Sequence, residues 1–472
     1  MSTSPPEVGG GDEHQTQLGH PAITRKAGIL RRLLTRTWFP RVTTRVASRT
    51  GITRARKAML VLLLAAIVLA IGVLGTAALQ AHTNRAQLDH ELTHARIDLS
   101  IPDRLLRPII SQEQRVTGGA GGLFSNYWEA ATTYRLLYTQ LLSIERTVQQ
   151  TVQQQAQADL QACQVFQASI DLLRQYGDAA DAASFQQQHD EDVTQLAAAR
   201  QLSDYLRLAQ TITTQNEAIA LPLLKAKAGY DFTILRRLVD YAQTQTVINP
   251  ADHKAYPIAP EYADPVVGIG DAANKLRAAR TFEQYQSADF EITSLTMGLR
   301  AQLEDRTDPT PHNQPHQTDL QVMQYYNVTA GRVAIISLAE QTARFYENGK
   351  LVYWTYVTTG RPEHPSVPGY HVALLRVSPT LFVSQAPRGS PEWYAPTPIH
   401  YAIEYNTGFT RSGGTYFLHD AWWRSQFGPY SNLPHYDPVA FNGGSLGCVN
   451  VPLATMRWIY PWILLGTPII LY

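Results

Sequence analysis

Residues 333–358 read VAIISLAEQTARFYENGKLVYWTYVT and decide the fold of the C-terminal third of the chain. Runs rich in β-branched and aromatic residues flank Asn348-Gly349, a dipeptide that favours a two-residue hairpin turn. The pattern predicts strands over residues 333–337, 343–346 and 351–358, with the hairpin turn between the last two.

The β pattern continues to the end of the chain. Further strands are predicted over residues 370–377, 399–405, 416–418 and 469–472. Residues 453–465 are compatible with one helix broken near Pro461. We therefore expect a mostly-β sandwich domain over residues 328–472.

The region before this domain has the periodicity of helices. Apolar residues recur at helical spacing in residues 137–152 and 160–173, and Gly177 offers a stop. Further helices are expected over residues 181–213, 217–246 and 270–305, with a Pro-rich loop between the last two. The fold class is thus α+β and multi-domain, with a bundle-like α-helical region over residues 82–306. Cys163 lies on an apolar stripe of this region and is interpreted as a small core residue.

The N-terminal part combines a basic tail with an uncharged apolar stretch. Residues 1–57 hold eleven Lys and Arg against three acidic residues, and we expect this tail to be disordered. Residues 58–81 carry no charge and are long enough to cross a bilayer of about 30 Å. A cleaved signal peptide is the rival interpretation, but its apolar part would be shorter and nearer the N-terminus. A single transmembrane helix predicts a cytoplasmic N-terminus and an extracytoplasmic remainder.

Residues 307–327 are polar and contain several prolines, which predicts a linker. His312 and His316 in this stretch lack a regular metal-ligand spacing and are interpreted as linker residues. Charge is balanced over the whole chain, with 40 Lys and Arg against 39 Asp and Glu. No nucleic-acid partner is therefore expected, and the basic tail is assigned to topology and anionic lipid.

The chain has two cysteines, and Cys448 lies in the small-residue segment GGSLGCVN at 443–450. A thiolate attacks carbonyl carbon, and His419, which follows a predicted strand, is a candidate base. The backbone N–H groups of Gly447 and Cys448 are candidate donors to a developing oxyanion. Asp420 is a candidate to orient the imidazole or a substrate amine.

Several segments of residues 328–472 together resemble the L,D-transpeptidase (YkuD-type) catalytic domain of bacterial cell-wall enzymes. The family signature is a His, a variable segment and then Ser-His-Gly-Cys, a hydrophobic residue and Arg or Asn. The matching residues are His419 and the segment Ser445-Leu446-Gly447-Cys448-Val449-Asn450. Residues 333–341, 346–352, 357–360 and 366–369 resemble the opening strand, the hairpin and two glycine-containing elements. Trp423 and Arg424, after His419-Asp420-Ala421, resemble a subset of the family.

The resemblance implies Cys448 as the acyl-accepting nucleophile and His419 as its base. It implies that Ser445 and Asn450 shape the loop and contact the substrate, and that the Gly447 and Cys448 amides stabilise the oxyanion. The implied reaction cleaves a peptidoglycan stem tetrapeptide and passes the acyl group to an amine of a second stem or of a protein. The family uses no metal or cofactor, and carbapenems typically acylate its Cys.

Two departures and two alternatives remain open. Leu446 replaces the usual His of the signature, and residues 421–444 form a long aromatic segment that is either a lid or a packed loop. Water in place of the amine would make the enzyme an L,D-carboxypeptidase. A domain without activity would instead be a wall-binding scaffold. The helical region is interpreted as a spacer that also contacts a cell-wall or divisome protein.

Overall fold

The computed structural model describes residues 49–119, 126–408, 410, 413–436 and 443–472. The described residues divide into two compact units. The first unit contains the described residues up to Gln87 and the segment Arg115–Arg135. The second unit contains Leu88–Gln114 and the described residues from Leu136 to Tyr472. Most of the predicted basic tail, residues 1–48, lies outside the described part of the chain.

The long N-terminal region is helical, as predicted. Its helices are α1 (Arg49–Ile97), α2 (Asp103–Gly119), α3 (Tyr127–Gln175), α4 (Ala179–Ala198), α5 (Leu202–Gln243), α6 (Pro260–Ala263), α7 (Ile269–Ala278) and α8 (Phe282–Asp305). A short hairpin of β1 (Thr246–Ile248) and β2 (Ala255–Pro257) lies between α5 and α6. The predicted helix over 181–213 is divided at Ala199, because Gln201 and Asp204 form a capping box that starts α5.

Helix α1 contains the uncharged stretch 58–81. From Arg56 to Ile97 it is long and apolar enough to cross a membrane, with a mean hydropathy of 2.9 over its most apolar window. The side chains of that window are exposed, which is weak evidence for a span when taken alone. Residues 49–57, expected to belong to a disordered tail, are helical. Arg and Lys have good helix propensity, so the basic flank extends the apolar helix.

Residues 307–327 are not a free linker. They contain α9 (Gln317–Tyr325), whose Val322 and Met323 are fully buried against the C-terminal domain. His316 and Asp319 are also completely buried. The prediction was wrong because the polar residues of this segment find buried partners far away in sequence, which local composition does not reveal.

The C-terminal domain consists of two main β-sheets, a separate two-stranded sheet of β8 and β9, and one helix. Its strands are β3 (Arg332–Ser337), β4 (Thr342–Glu347), β5 (Lys350–Tyr356), β6 (Gly369–Val372), β7 (Leu375–Val377), β8 (Thr380–Phe382), β9 (Thr397–Ile399), β10 (Ala402–Asn406), β11 (Tyr416–Asp420), β12 (Val449–Val451) and β13 (Pro468–Leu471), with α10 (Leu453–Trp462) before β13. One sheet has the order β5-β4-β3-β13-β6 and the other β12-β11-β10-β7. Apolar residues of both sheets and of α10 form one core, which fits the predicted sandwich.

The turn predicted from Asn348-Gly349 joins β4 and β5. Both residues have positive φ, 52° and 73°, as a two-residue hairpin turn requires. The strand predicted over 370–377 is instead two strands in different sheets, β6 and β7. The chain crosses between the sheets at Ala373 and Leu374, whose N–H groups bond Thr467 and Glu404 respectively.

A fully buried arginine joins α9 to this domain. Arg344 on β4 donates from Nε to Asp319 on α9 at 2.5 Å and from Nη1 to Glu340. The Tyr472 hydroxyl donates to Asp319 at 2.5 Å. Because each of these carboxylates has a charged or hydroxyl partner, the cost of burying it is offset.

We expect Arg344→Leu to destabilise the C-terminal domain by about 3–5 kcal/mol, because it leaves buried carboxylates without their cation. Chemical denaturation followed by near-ultraviolet circular dichroism measures the shift in midpoint. Arg207→Leu is the matched control, since Arg207 is 76% exposed in its ion pair with Asp204. That change should alter stability by no more than about 1 kcal/mol. Equal shifts for the two variants would contradict the role assigned to Arg344.

Candidate active site

Pairing of β11 with β12 brings the two chemistry-bearing residues together. The strands are parallel, and His419 lies opposite Asn450 in the register. Cys448 directly precedes β12, and His419 lies on β11. Although 29 positions separate the two residues along the chain, they therefore belong to neighbouring strands. The sequence predicted this proximity from a folded-back loop, and β-strand pairing produces it.

The backbone before Cys448 is held by its own loop. The Ser445 hydroxyl accepts from the Gly447 N–H at 3.1 Å and donates to the Cys448 carbonyl at 2.5 Å. Gly447 has φ of 120°, and a Cβ there would lie 2.8 Å from the Tyr416 ring. Glycine is therefore required at 447. In this conformation the Gly447 N–H is engaged by Ser445, which differs from the predicted oxyanion role.

A second segment, residues 358–366, supports this loop from the side. Ser445 donates its N–H to the Thr359 carbonyl at 2.9 Å. Gln341 in turn accepts from the Thr359 N–H at 2.7 Å. Ser366 donates to the Gly447 carbonyl at 2.7 Å. The glycine-containing elements around Gly360 and Ser366 are thus the scaffold for the loop that carries Cys448.

The hydrogen bonds of His419 define its tautomer. Nδ1 lies 2.8 Å from the Asp420 carbonyl oxygen, which only accepts, so Nδ1 carries the proton. Nε2 lies 3.0 Å from the Asn450 Nδ2. Arg424 donates from Nε to the Asn450 Oδ1 at 2.7 Å, which fixes the orientation of the amide. Nε2 therefore carries the lone pair of the ring, and this lone pair accepts a hydrogen bond from the Asn450 amide.

Aromatic rings enclose His419. Trp423 stacks on it with a centroid distance of 6.0 Å, and Phe382 meets its other side edge-on at 5.0 Å. The imidazole is 4% exposed. Burial lowers its pKa to about 4, because the charged form loses its hydration. The ring is therefore neutral at physiological pH.

The Asp420 side chain does not contact the imidazole. Its carboxylate accepts from the Tyr401 N–H at 2.7 Å and lies 2.9 Å from the Nδ1 of His400. The predicted orienting role thus falls to the Asp420 backbone carbonyl. Asn450, predicted to shape the loop and contact substrate, is the side chain that orients Nε2.

Cys448 lines the cavity in a largely desolvated position. Its Sγ contacts the Thr415 carbonyl oxygen at 3.9 Å. Burial raises the pKa of the thiol to about 11, because a thiolate would lose its hydration and the backbone hydrogen bond at Phe417 compensates for only part of that loss. At rest, the thiol of Cys448 and the imidazole of His419 are therefore both neutral.

A cavity of about 1070 Å³ contains this pair. Cys448, His419 and Asn450 lie in its wall, together with Ser445, Leu446, Trp423 and Arg424. Much of the remaining lining comes from residues 380–399, which include the β8–β9 hairpin. Residues 380–399 thus form much of the wall of the site, whereas the sequence had suggested residues 421–444 as a lid. Of those, Trp422, Trp423, Arg424 and Gly444 line the cavity, and Phe441 lies outside the described residues.

Sequence reasoning missed the covering segment and Phe382. Residues 380–399 have little alternation, and their Ser, Glu and Tyr residues form no recognisable motif, so no local signal set them apart. The cavity-facing role of Leu446 is also visible only in the structure. Cys163 is buried in the helical region and unbonded, as expected for a core residue.

Comparison with known proteins identifies this domain. Residues 331–471 match the YkuD family model, described as the L,D-transpeptidase catalytic domain. No curated protein matches the chain.

Solved structures of L,D-transpeptidases also match the chain. An L,D-transpeptidase from Mycobacterium smegmatis is 20% identical over 30% of this chain and 59% of its own, with a TM-score of 0.25. L,D-transpeptidase 3 from Mycobacterium tuberculosis is 20% identical over 30% of this chain and 61% of its own, with a TM-score of 0.23. The catalytic domain of the E. faecium L,D-transpeptidase is 20% identical over 30% of this chain and 96% of its own, with a TM-score of 0.24. The chain thus spans less than two thirds of the mycobacterial structures.

The family model therefore defines residues 331–471 as an enzyme domain. This domain is a YkuD-type L,D-transpeptidase catalytic domain, as the sequence resemblance predicted.

The desolvated thiol predicts a distinctive pH dependence of alkylation. Because only the thiolate reacts, the iodoacetamide rate at Cys448 should rise about tenfold per pH unit from pH 7 to near pH 11. Mass spectrometry of the tryptic peptides follows Cys448 and the buried Cys163 separately. A rate that is already constant between pH 5 and 8 would indicate a thiolate paired with imidazolium in the resting enzyme and contradict this expectation.

The hydrogen bond from Asn450 predicts a positioning role. Asn450→Ala should slow acylation of Cys448 by about tenfold to a hundredfold, because the His419 ring loses the side chain that orients it before the substrate enters. The pH below which the acylation rate falls should also rise from near 4, because the Asn450 amide no longer opposes protonation of the His419 Nε2. Asn313→Ala, at an exposed loop position, is the control. An unchanged pH profile would argue for a purely structural role.

Proposed function

We propose that the chain is a membrane-anchored L,D-transpeptidase that acts on peptidoglycan stem peptides. The observation that supports this proposal is that Cys448 and His419 both line one cavity, within a domain that matches this family. A cavity of about 1070 Å³ accommodates an extended peptide segment together with an approaching amine.

In the proposed reaction, Nε2 of His419 takes the Cys448 proton after Asn450 releases it. The sulfur then forms a bond to the carbonyl carbon that precedes the terminal D-residue of a tetrapeptide. The C–N bond breaks, and the imidazolium returns the proton to the departing amine. An amine of a second stem, or of a protein, next attacks the thioester: its C–N bond forms, the C–S bond breaks, and the amine proton passes through His419 to the Cys448 sulfur. The product is a 3-3 type cross-link in the case of a stem. No metal or cofactor is needed for these steps.

The oxyanion would be stabilised by backbone donors of the nucleophile loop. The Cys448 N–H is the first such donor that we assign. The Gly447 N–H would join it only if the Ser445 hydroxyl rotates away, because the two are hydrogen-bonded in this conformation.

The apolar exposed helix α1 supports the proposed anchor. Its window of highest hydropathy has no buried residues, and Arg54, Arg56 and Lys57 flank it on the N-terminal side. A cytoplasmic N-terminus and an extracytoplasmic catalytic domain follow from the positive-inside rule. Release of the chain from membranes by alkaline carbonate without detergent would contradict the anchor.

Two alternatives use the same structure differently. An L,D-carboxypeptidase would form the same acyl-enzyme and transfer it to water. A wall-binding scaffold would not form it at all. The helical region is either a spacer or a contact surface for a cell-wall or divisome protein. Its role does not help to decide between the transpeptidase, the carboxypeptidase and the scaffold.

The acceptor is tested with a disaccharide-tetrapeptide donor, with and without an acceptor stem. The full-length chain should yield cross-linked dimer and free D-alanine, and Cys448→Ala should yield neither, while Cys163→Ala should match the parent. Tripeptide without dimer would establish the carboxypeptidase instead.

Treatment with meropenem tests the nucleophile independently of the acceptor. The folded chain should gain one covalent adduct on Cys448, detected by mass spectrometry. A folded protein without that adduct would favour the scaffold.

A further inference from the structure

A second cluster of metal-binding residue types lies away from Cys448, between the segment before α9 and the β3–β4 turn. It contains His312, His316 and Glu340, each with one ligand atom within 4.8 Å of the others. His312 Nδ1 lies 2.7 Å from the Glu340 Oε1, and His316 Nε2 lies 3.8 Å from the same oxygen. Three nitrogen and oxygen atoms therefore converge on one small volume.

The surroundings of His316 fix it in a ligand-ready form. Its Nδ1 lies 2.8 Å from the Asp305 carboxylate, which also accepts from Ser337 at 2.6 Å and from Thr318 at 3.0 Å. This pairing places a proton on Nδ1 and, although burial opposes it, raises the pKa of the ring, so Nε2 binds either a second proton or, in the neutral ring, a metal ion through its lone pair. A carboxylate behind a histidine in this manner is the common arrangement around protein-bound metals.

The Nε2 atom of His316 has no hydrogen-bond partner among the described residues, although the side chain is completely buried. Buried polar atoms without partners are costly and require an explanation. At 3.8 Å, Glu340 is too far for a hydrogen bond but well placed to share a bound ion.

The local charge also favours a cation. Four carboxylates belong to this cluster, those of Asp305, Asp308, Asp319 and Glu340. Arg344 is the guanidinium that faces them. Buried negative charge in excess of its cation is strongly destabilising unless another positive charge is present.

We propose that His312 Nδ1, His316 Nε2 and Glu340 Oε1 bind a divalent transition-metal ion, with Zn²⁺ the best match to two imidazoles and one carboxylate. Metal–nitrogen and metal–oxygen bonds of about 2.0–2.2 Å require the ligand atoms to move by only a fraction of an ångström to about one ångström. Binding through Nδ1 requires the His312 proton that now lies between this nitrogen and Glu340 to move to Nε2 of the same ring, which frees the Nδ1 lone pair for the ion.

The role of this ion would be structural. His312 and His316 belong to the segment that enters α9, whereas Glu340 belongs to the catalytic domain and directly precedes Gln341. The ion would therefore fasten the end of the helical region to the turn whose next residue supports Thr359. It contributes no atom to the cavity that contains Cys448.

Isothermal titration of the metal-free full-length chain with Zn²⁺ in detergent tests this site. His316→Asn is the most informative variant, because the Asn amide can still donate to Asp305 while it removes the Nε2 ligand. His312→Ala is the second variant, at a partly exposed position that tolerates truncation. His253→Asn is the control, since His253 is exposed and Asn accepts its positive φ of 55°.

We expect saturable Zn²⁺ binding at one site, a rise in melting temperature on binding, and affinity lowered at least about tenfold in both variants but not in the control. Substitution with Co²⁺ should give the visible absorption of a tetrahedral nitrogen–oxygen site. Absence of saturable binding, or equal affinity in His316→Asn and the parent, would overturn the proposal. The latter result would direct attention to Glu91, His94 and Glu145, a separate group in the helical region.

Discussion

The parallel pairing of β11 with β12 is the constraint on which the site depends. It places Asn450 opposite His419 and leaves Cys448 at the point where the loop enters the strand. A shift of one residue in this register would turn Asn450 away from the imidazole, because side chains alternate between the two faces of a sheet. The pairing is secured on the other side as well, since Asn450 exchanges both backbone hydrogen bonds with Thr358 at 2.8 and 2.9 Å.

Desolvation gives this arrangement its chemical character. Phe382 and Trp423 exclude water from the imidazole, and the same cavity raises the pKa of the thiol. A neutral pair is stable at rest, so charge separation must be promoted by what enters the cavity. Substrate groups that displace the Asn450 amide from Nε2 would make His419 available as a base at the moment when the carbonyl is in place.

Local patterns predicted the parts of the structure that local chemistry determines. The Asn348-Gly349 turn, most strands, the apolar helix and the candidate pair Cys448 and His419 all carry a signal within a few residues. The role of Asn450 as a hydrogen-bond donor to His419 depends on the register of β11 with β12, which pairs residues 31 positions apart. The cover formed by residues 380–399 and the burial of α9 depend on tertiary partners, so composition assigned the segment 307–327 to a linker.

The burial of α9 changes how the helical region can act. A flexible linker would let the catalytic domain rotate freely on α8. Instead, Ala301 of α8, Val322 of α9 and Ile470 of β13 share one buried cluster, and Arg344 ties α9 to β4. Inter-element contacts of this kind, apolar and ionic together, fix an orientation that a tether would leave open. The catalytic domain therefore packs directly against helix α8, and residues 307–327 do not separate the two as a flexible tether would.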